Sequence, residues 1–121
     1  MKPLVASFVI ASAAPLAWAC GVCAEDKMAA TYDHAIVQRA AARGEAMVFC
    51  ELAGPVDVER ITAAAARQRG IDRASIRVSS NPPALSFALD SKQLSPQAAA
   101  EAIQKASAHG TRVSVLRVGA R

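Results

Sequence analysis

Aromatic residues, cysteine and histidine are all scarce in this chain of 121 residues, which contains one Trp, one Tyr, three Phe, three Cys and two His. A core with so few aromatics must be built from Ala, Val, Ile and Leu, and a composition with 53% hydrophobic residues supplies enough of them. The net charge of +4 is spread along the sequence, without the clustered Lys and Arg and stacking aromatics that are typical of nucleic-acid binding. We therefore expect one small globular protein that does not bind nucleic acid.

The first 19 residues have the composition of a secretory signal peptide. Lys2 gives a short basic start, residues 4–16 are mostly apolar, and Ala17-Trp18-Ala19 provides small residues at the cleavage positions. We expect cleavage before Cys20 and a periplasmic or secreted mature protein. The bulky Trp18 departs from lipoprotein signals, which speaks against a lipid anchor. No later apolar run reaches the roughly 18 residues of a membrane span.

An Ala-rich segment from Ala24 to Arg43 contains neither Pro nor Gly. Apolar residues recur in it at every fourth position, which is the spacing of one helical face: Met28, Tyr32, Ile36 and Ala40. The spacing predicts one helix, ended by Gly44.

The chain from residue 46 onward predicts the element order β-α-β-β-α-β. Apolar alternation indicates strands over 46–53, around Ile76 and Val78, over 85–89 and over 113–118. The two intervening segments predict helices, one capped by Asp57 and running to about Arg69, the other capped by Ser95 and running to His109.

Two β-α-β units of this kind interleave into a four-stranded antiparallel sheet with both helices on one face, the ferredoxin-like arrangement. We therefore predict an α+β fold in three parts: a signal peptide at 1–19, a cysteine-bearing segment and helix at 20–45, and a ferredoxin-like domain at 46–121. The additional N-terminal helix is expected to lie on the open face of the sheet, against Met47 and Phe49. A detached arm or a dimerising helix is the alternative.

The layout of residues 46–118 resembles the heavy-metal-associated domain family, which includes periplasmic mercury-binding proteins and copper chaperones. The resemblance is carried by Gly70, Ile71, Ile76, Val78, Leu85-Ser86-Phe87, Asp90, Ile103, Lys105, Gly110 and Val113. In that family the metal site is Gly-Met-x-Cys-x-x-Cys, between the first strand and the first helix. Here the matching residues are Gly54 to Arg60, and Asp57 and Arg60 replace both cysteines. The resemblance implies the fold and soft-metal handling, but no metal site in this loop.

A cysteine pair does occur elsewhere, as Cys20-Gly21-Val22-Cys23 at the predicted mature N-terminus. Two thiolates three positions apart just before a helix can converge on one soft ion or close a disulfide. We expect Cu(I) as the ion, with Zn(II) or Hg(II) as alternatives. Cys50 alternates with Val48 and Leu52 and is expected to be buried, and it could act as a third sulfur ligand only near a sheet edge or on the exposed face.

Two further residues have side chains that can bind metals. His34 lies 11 positions after Cys23, roughly 16 Å away along a straight helix, so the two cannot share an ion within one monomer. His34 is therefore expected in an exposed, mid-helix polar patch, with a ligand role only across a dimer interface. Met28 is expected in the core, where its thioether could assist Cu(I).

Three functions fit these residues. The first is a non-enzymatic soft-metal binding protein or carrier that passes its ion to a metal-exchanging protein partner. The second is a thiol-disulfide oxidoreductase, because Cys-Gly-Val-Cys resembles the Cys-Gly-x-Cys of thioredoxin-like enzymes. The third is an interaction module, monomeric or homodimeric, with a structural disulfide. Hydrolase and transferase motifs are missing from the sequence.

Overall fold

A computed structural model of the protein describes residues 17–107 and 109–119, with side chains from Ala24 onward. The chain forms, in order, α1 (Ala17–Thr31), α2 (His34–Ala42), β1 (Ala46–Ala53), α3 (Val58–Ala66), a 3-10 turn (Arg73–Ser75), β2 (Arg77–Ser80), β3 (Pro83–Leu89), α4 (Pro96–Ala106) and β4 (Arg112–Gly119). The strands form one antiparallel sheet in the order β2-β3-β1-β4. The predicted α+β class is confirmed.

Helices α3 and α4 cover one face of the sheet. The larger core lies between them and the strands and is made of aliphatic residues with a single aromatic ring: Val48, Cys50, Leu52, Ile61, Ala64, Ala65, Ile71, Ile76, Leu85, Phe87, Leu89, Ala99, Ala100, Ile103 and Val113. Both helices begin where the sequence predicts. Asp57 Oδ1 accepts a hydrogen bond from the Arg60 amide, and Ser95 Oγ accepts one from the Ala98 amide.

Helices α1 and α2 cover the opposite face of the sheet. Met47 and Phe49 of β1 are buried there with Ala88 of β3, against Ile36 and Ala40 of α2. The N-terminal helical segment thus lies on the sheet, as the apolar outward side of β1 predicts. Because both faces are covered, the two central strands, β1 and β3, are buried on both sides.

The prediction of one uninterrupted helix over 24–43 is wrong, because the chain leaves the helix at Tyr32-Asp33 and starts a new one at His34. Asp33 has extended backbone angles, and its Oδ1 accepts hydrogen bonds from the amides of Ala35 and Ile36, at 3.0 and 3.3 Å. A carboxylate that caps a new helix competes with continuation of the old one.

The predicted helix boundaries also differ from the structure. Helix α1 begins at Ala17, so positions 20 and 23 lie within the helix and not ahead of it. Helix α3 ends at Ala66 and not near Arg69. Helix α4 ends at Ala106 and not at His109, because Ser107 is extended (φ −84°, ψ 175°) and its hydroxyl donates to the Ile103 carbonyl.

Candidate functional site

The predicted metal ligands Cys20 and Cys23 lie on the backbone of α1. Their side chains are outside the described residues, so their use as ligands stays a prediction. Positions three apart in a helix are neighbours on the same side, about 5–6 Å from each other. The helix therefore brings the two cysteine positions together.

Two polar contacts fix α1 on the sheet. Lys27 Nζ lies 2.9 Å from Glu51 Oε2 of β1, and Ser86 Oγ of β3 donates a hydrogen bond of 3.3 Å to the carbonyl of Thr31. Met28 is half-buried and packs against the cluster that α2 forms with Met47 and Phe49 of β1, as expected for a packing residue. The cysteine-bearing helix is thus anchored within the two turns that follow Cys23.

These contacts also set the direction of α1. Thr31 lies at Ser86, which pairs with Phe49. Lys27 contacts Glu51, which pairs with Ala84 two residue pairs further along the sheet. Followed toward its N-terminus, α1 therefore runs to the end of the sheet where β1 finishes and β3 begins. The loop after β1, residues 54–57, lies at that same end.

The loop after β1 is organised by a helix cap and a tight turn. Asp57 caps α3, as predicted, and its other oxygen lies 3.8 Å from Arg60 Nε. Gly54 has a positive φ of 83°, and a Cβ at this position would collide with the Gly110 carbonyl. Asp57 and Arg60 therefore have contacts of their own at the start of α3.

Cys50 is a free thiol in the larger core, with 1% of its surface exposed. It lies on the α3–α4 side of β1, whereas α1 lies on the other side, and β1 is an interior strand of the sheet. Burial raises the pKa of the thiol to about 12. The condition for a three-sulfur site, Cys50 near an edge or on the exposed face, is not met.

His34 is exposed, but it is not in the middle of a helix. The break at Tyr32-Asp33 makes it the first residue of α2, where its Nδ1 lies 3.2 Å from the Tyr32 hydroxyl. The predicted mid-helix patch is therefore wrong in its position. The same break places Asp33 3.7 Å from Arg77 of β2, an ion pair that periodicity did not indicate.

Among the described side chains, no three His, Cys, Asp or Glu residues are grouped closely enough to hold a metal ion. Sequence reasoning missed the Lys27–Glu51 pair, since Lys27 precedes Glu51 by 24 positions and no local pattern links them.

No helix in the described part of the chain is long and apolar enough to cross a membrane. A scan of the sequence against protein-family models gives no match, and no curated protein is similar to it in sequence.

Proposed function

We propose that the protein is an exported carrier of Cu(I), which it binds through the thiolates of Cys20 and Cys23. The observation that carries this proposal is the position of both cysteines one turn apart on α1, a helix anchored to the sheet by Lys27 and Thr31. Cleavage of a signal peptide before Cys20 would make this turn the first turn of the helix in the mature protein.

The chemistry of the pair suits a soft, monovalent ion. Thiolate is the sulfur form that binds metals, and the partial positive charge of a helix N-terminus favours it over the thiol. Two thiolates without the Cys50 thiol give low coordination, which Cu(I) accepts, while Zn(II) usually takes four ligands in proteins. A partner thiolate can then add to the ion as Cys20 or Cys23 leaves, so copper moves without a change in oxidation state.

The fold supports the same proposal. We interpret the strand order β2-β3-β1-β4, with helices α3 and α4 on one face, as the ferredoxin-like arrangement of the heavy-metal-associated family. In that family the cysteines belong to the loop after the first strand. Here α1 runs toward the end of the sheet that carries this loop. Residues 20–45 would thus supply, from the other face, the ligands that Gly54 to Arg60 lack.

The test is native mass spectrometry of the mature protein after Cu(I) is offered under reducing conditions with glutathione as competitor. We expect a chain that starts at Cys20 and retains one copper ion. Cys20→Ser and Cys23→Ser should each lose the ion, whereas Cys50→Ala, the matched control, should keep it because Cys50 is buried on the other face. A reduced protein that takes up no copper, or a double Ser variant that retains it, would overturn the proposal.

A thiol-disulfide redox function is the second candidate, and the same helical spacing favours it. Positions three apart in a helix fall within the range of Cα separations that a disulfide spans, roughly 4.4–6.8 Å. In this case the recovered protein should be two mass units lighter than the dithiol form and should exchange with a small dithiol. Copper should then bind neither form.

A further inference from the structure

Four arginines lie within residues 67–77, and the fold brings two from α2 and its C-terminal end next to them. Six arginines belong to β2, an edge strand of the sheet, or to chain segments next to it, and we call this surface the basic edge. It consists of Arg39 of α2, Arg43 directly after α2, Arg67 and Arg69 after α3, Arg73 of the 3-10 turn and Arg77 of β2.

The α2 end of the basic edge is held together by Asp72. Its backbone amide donates to the Ala88 carbonyl, which places Asp72 at the outer side of β3, in line with β2. Its Oδ2 lies 3.5 Å from Arg39 Nη2 and 3.4 Å from Arg43 Nη1. One carboxylate oxygen thus draws two guanidinium groups to this edge.

Arg73 and Arg77 join the same edge through other contacts. Arg77 Nη2 lies 3.7 Å from Asp33 Oδ2, at the start of α2. Arg73 Nε donates a hydrogen bond of 3.2 Å to the carbonyl of Ala66, the last residue of α3, and Arg67 follows directly. Four separate chain segments therefore contribute positive charge to one side of the molecule.

The charge balance of this side is uneven. Six guanidinium groups face two carboxylates, Asp33 and Asp72, whereas the other described residues have six basic and eight acidic side chains. A neighbouring groove of about 490 Å³ adds Lys92 but also Glu45 and Asp90. Arg43 and Asp72 line this groove too, so the edge and the groove together have seven cations and four carboxylates, and the excess of charge is still positive.

We propose that the basic edge binds an acidic segment of a partner protein. All six cations are arginine, whose planar fork binds carboxylates in pairs of parallel hydrogen bonds. The contact with Asp72 shows two of them already spaced to share a carboxylate. The side chains of Arg39 and Arg43 are still 41% and 58% exposed, so donors remain for a second carboxylate.

A protein partner fits this surface better than a membrane does. Proteins that lie on anionic membranes combine Lys and Arg with apolar side chains that enter the bilayer. Among the described residues, Tyr32 is the one large exposed hydrophobic side chain near the basic edge, beside Asp33. The inference goes beyond copper binding and does not rest on it.

The experiment measures fluorescence anisotropy of a labelled synthetic peptide of alternating Glu and Ser, titrated with the metal-free mature protein at low and at physiological salt. Arg43→Gln/Arg73→Gln removes two charges from the basic edge, and Arg67→Gln/Arg69→Gln removes two others outside the described ion pairs. The matched control, Lys105→Gln/Arg112→Gln, removes two exposed charges near the opposite edge of the sheet.

We expect each edge variant to weaken peptide binding about tenfold and the control by less than about twofold. Circular dichroism should show that all three variants are folded. Equal loss in the edge and control variants would mean attraction to net charge alone and would overturn the proposal. So would the absence of peptide binding at low salt, or binding to phosphatidylglycerol vesicles without binding to the peptide. Because the experiment uses the metal-free protein, none of these outcomes tests the proposal of Cu(I) binding.

Discussion

Lys27 and Glu51 form an ion pair of 2.9 Å that joins α1 to β1, and both side chains are partly shielded, with exposures of 20% and 39%. Each belongs to a different layer of the fold. The pair therefore holds α1 in a fixed position on β1, one of the two central strands. Lys27 lies one helical turn after Cys23.

Loss of this pair should loosen α1 without unfolding the sheet. We expect Glu51→Gln to lower the free energy of unfolding by about 0.5–1 kcal/mol, since the pair is only partly buried. Amide hydrogen exchange should accelerate in α1 more than in α3 or α4. The control is Glu101→Gln, which removes an exposed carboxylate from α4. Unchanged exchange in α1 would show that Lys27 does not anchor the helix.

The buried thiol of Cys50 should not react with alkylating reagents in the folded protein. With its pKa raised to about 12, it holds almost no thiolate at pH 8, so iodoacetamide should modify it only after unfolding. We also expect Cys50→Ser to be less stable than Cys50→Ala by about 1–3 kcal/mol, because a hydroxyl would be buried where a neutral thiol packs. Mass analysis and urea unfolding measure these two effects.

The same thiol predicts how stability depends on pH. In the unfolded chain it ionises near its ordinary pKa of 9.0, whereas in the folded protein it ionises near 12. The folded state therefore holds the proton more tightly between these values. The free energy of unfolding should fall as pH rises from about 9 to 12, and it should fall less steeply in Cys50→Ala.

The break between α1 and α2 depends on the Asp33 cap. Asp33→Ala removes both capping hydrogen bonds and the contact with Arg77, and should cost about 1–2 kcal/mol. Asp33→Asn keeps an oxygen that can accept the amide hydrogen bonds, and should retain most of the stability. Thermal unfolding measures the stabilities of the two variants. Equal stability of Asp33→Ala and Asp33→Asn would show that the cap does not stabilise the protein.

Gly44 and Gly54 have similar φ angles, so substituting each by Ala separates the cost of the backbone conformation from the cost of a steric collision. Gly44 has φ 71° and nothing within 4 Å of an added Cβ, so Gly44→Ala should cost about 1 kcal/mol for its backbone alone. Gly54 has φ 83°, but its Cβ would also collide with the Gly110 carbonyl. Gly54→Ala should therefore cost about 3 kcal/mol or more. If urea unfolding shows the same stability for Gly44→Ala and Gly54→Ala, the predicted collision does not destabilise the protein.

Local patterns in the sequence were sufficient to locate the four strands approximately and to predict the starts of α3 and α4. Alternation predicts β1 with its observed bounds, and Asp57 and Ser95 cap the helices for which they were predicted. The helix break escaped prediction because Met28, Ile36 and Ala40 contact the same face of the sheet from two different helices. Apolar periodicity therefore continues across a break that only the Asp33 cap reveals.

The candidate surfaces were less predictable than the strands. The cysteine pair is visible in the sequence, and the helical spacing of its two members follows from that motif. The basic edge is only partly visible, as four arginines within residues 67–77. Arg39 and Arg43 join them only when the 3-10 turn reaches the outer side of β3 and Asp72 contacts both guanidinium groups. Long-range pairing, which no local pattern encodes, decides which charges become neighbours.

The strand order also has a consequence for the sequence of events in folding. Strand β1 pairs with β3 and with β4, the strand that lies furthest from it in the sequence. Until these pairs have formed, Met47 and Phe49 belong to an incomplete sheet, and α1 and α2 have no finished surface on which to pack. Contacts between distant parts of a chain form slowly. The helices that begin the described chain should therefore be among the last elements to become protected.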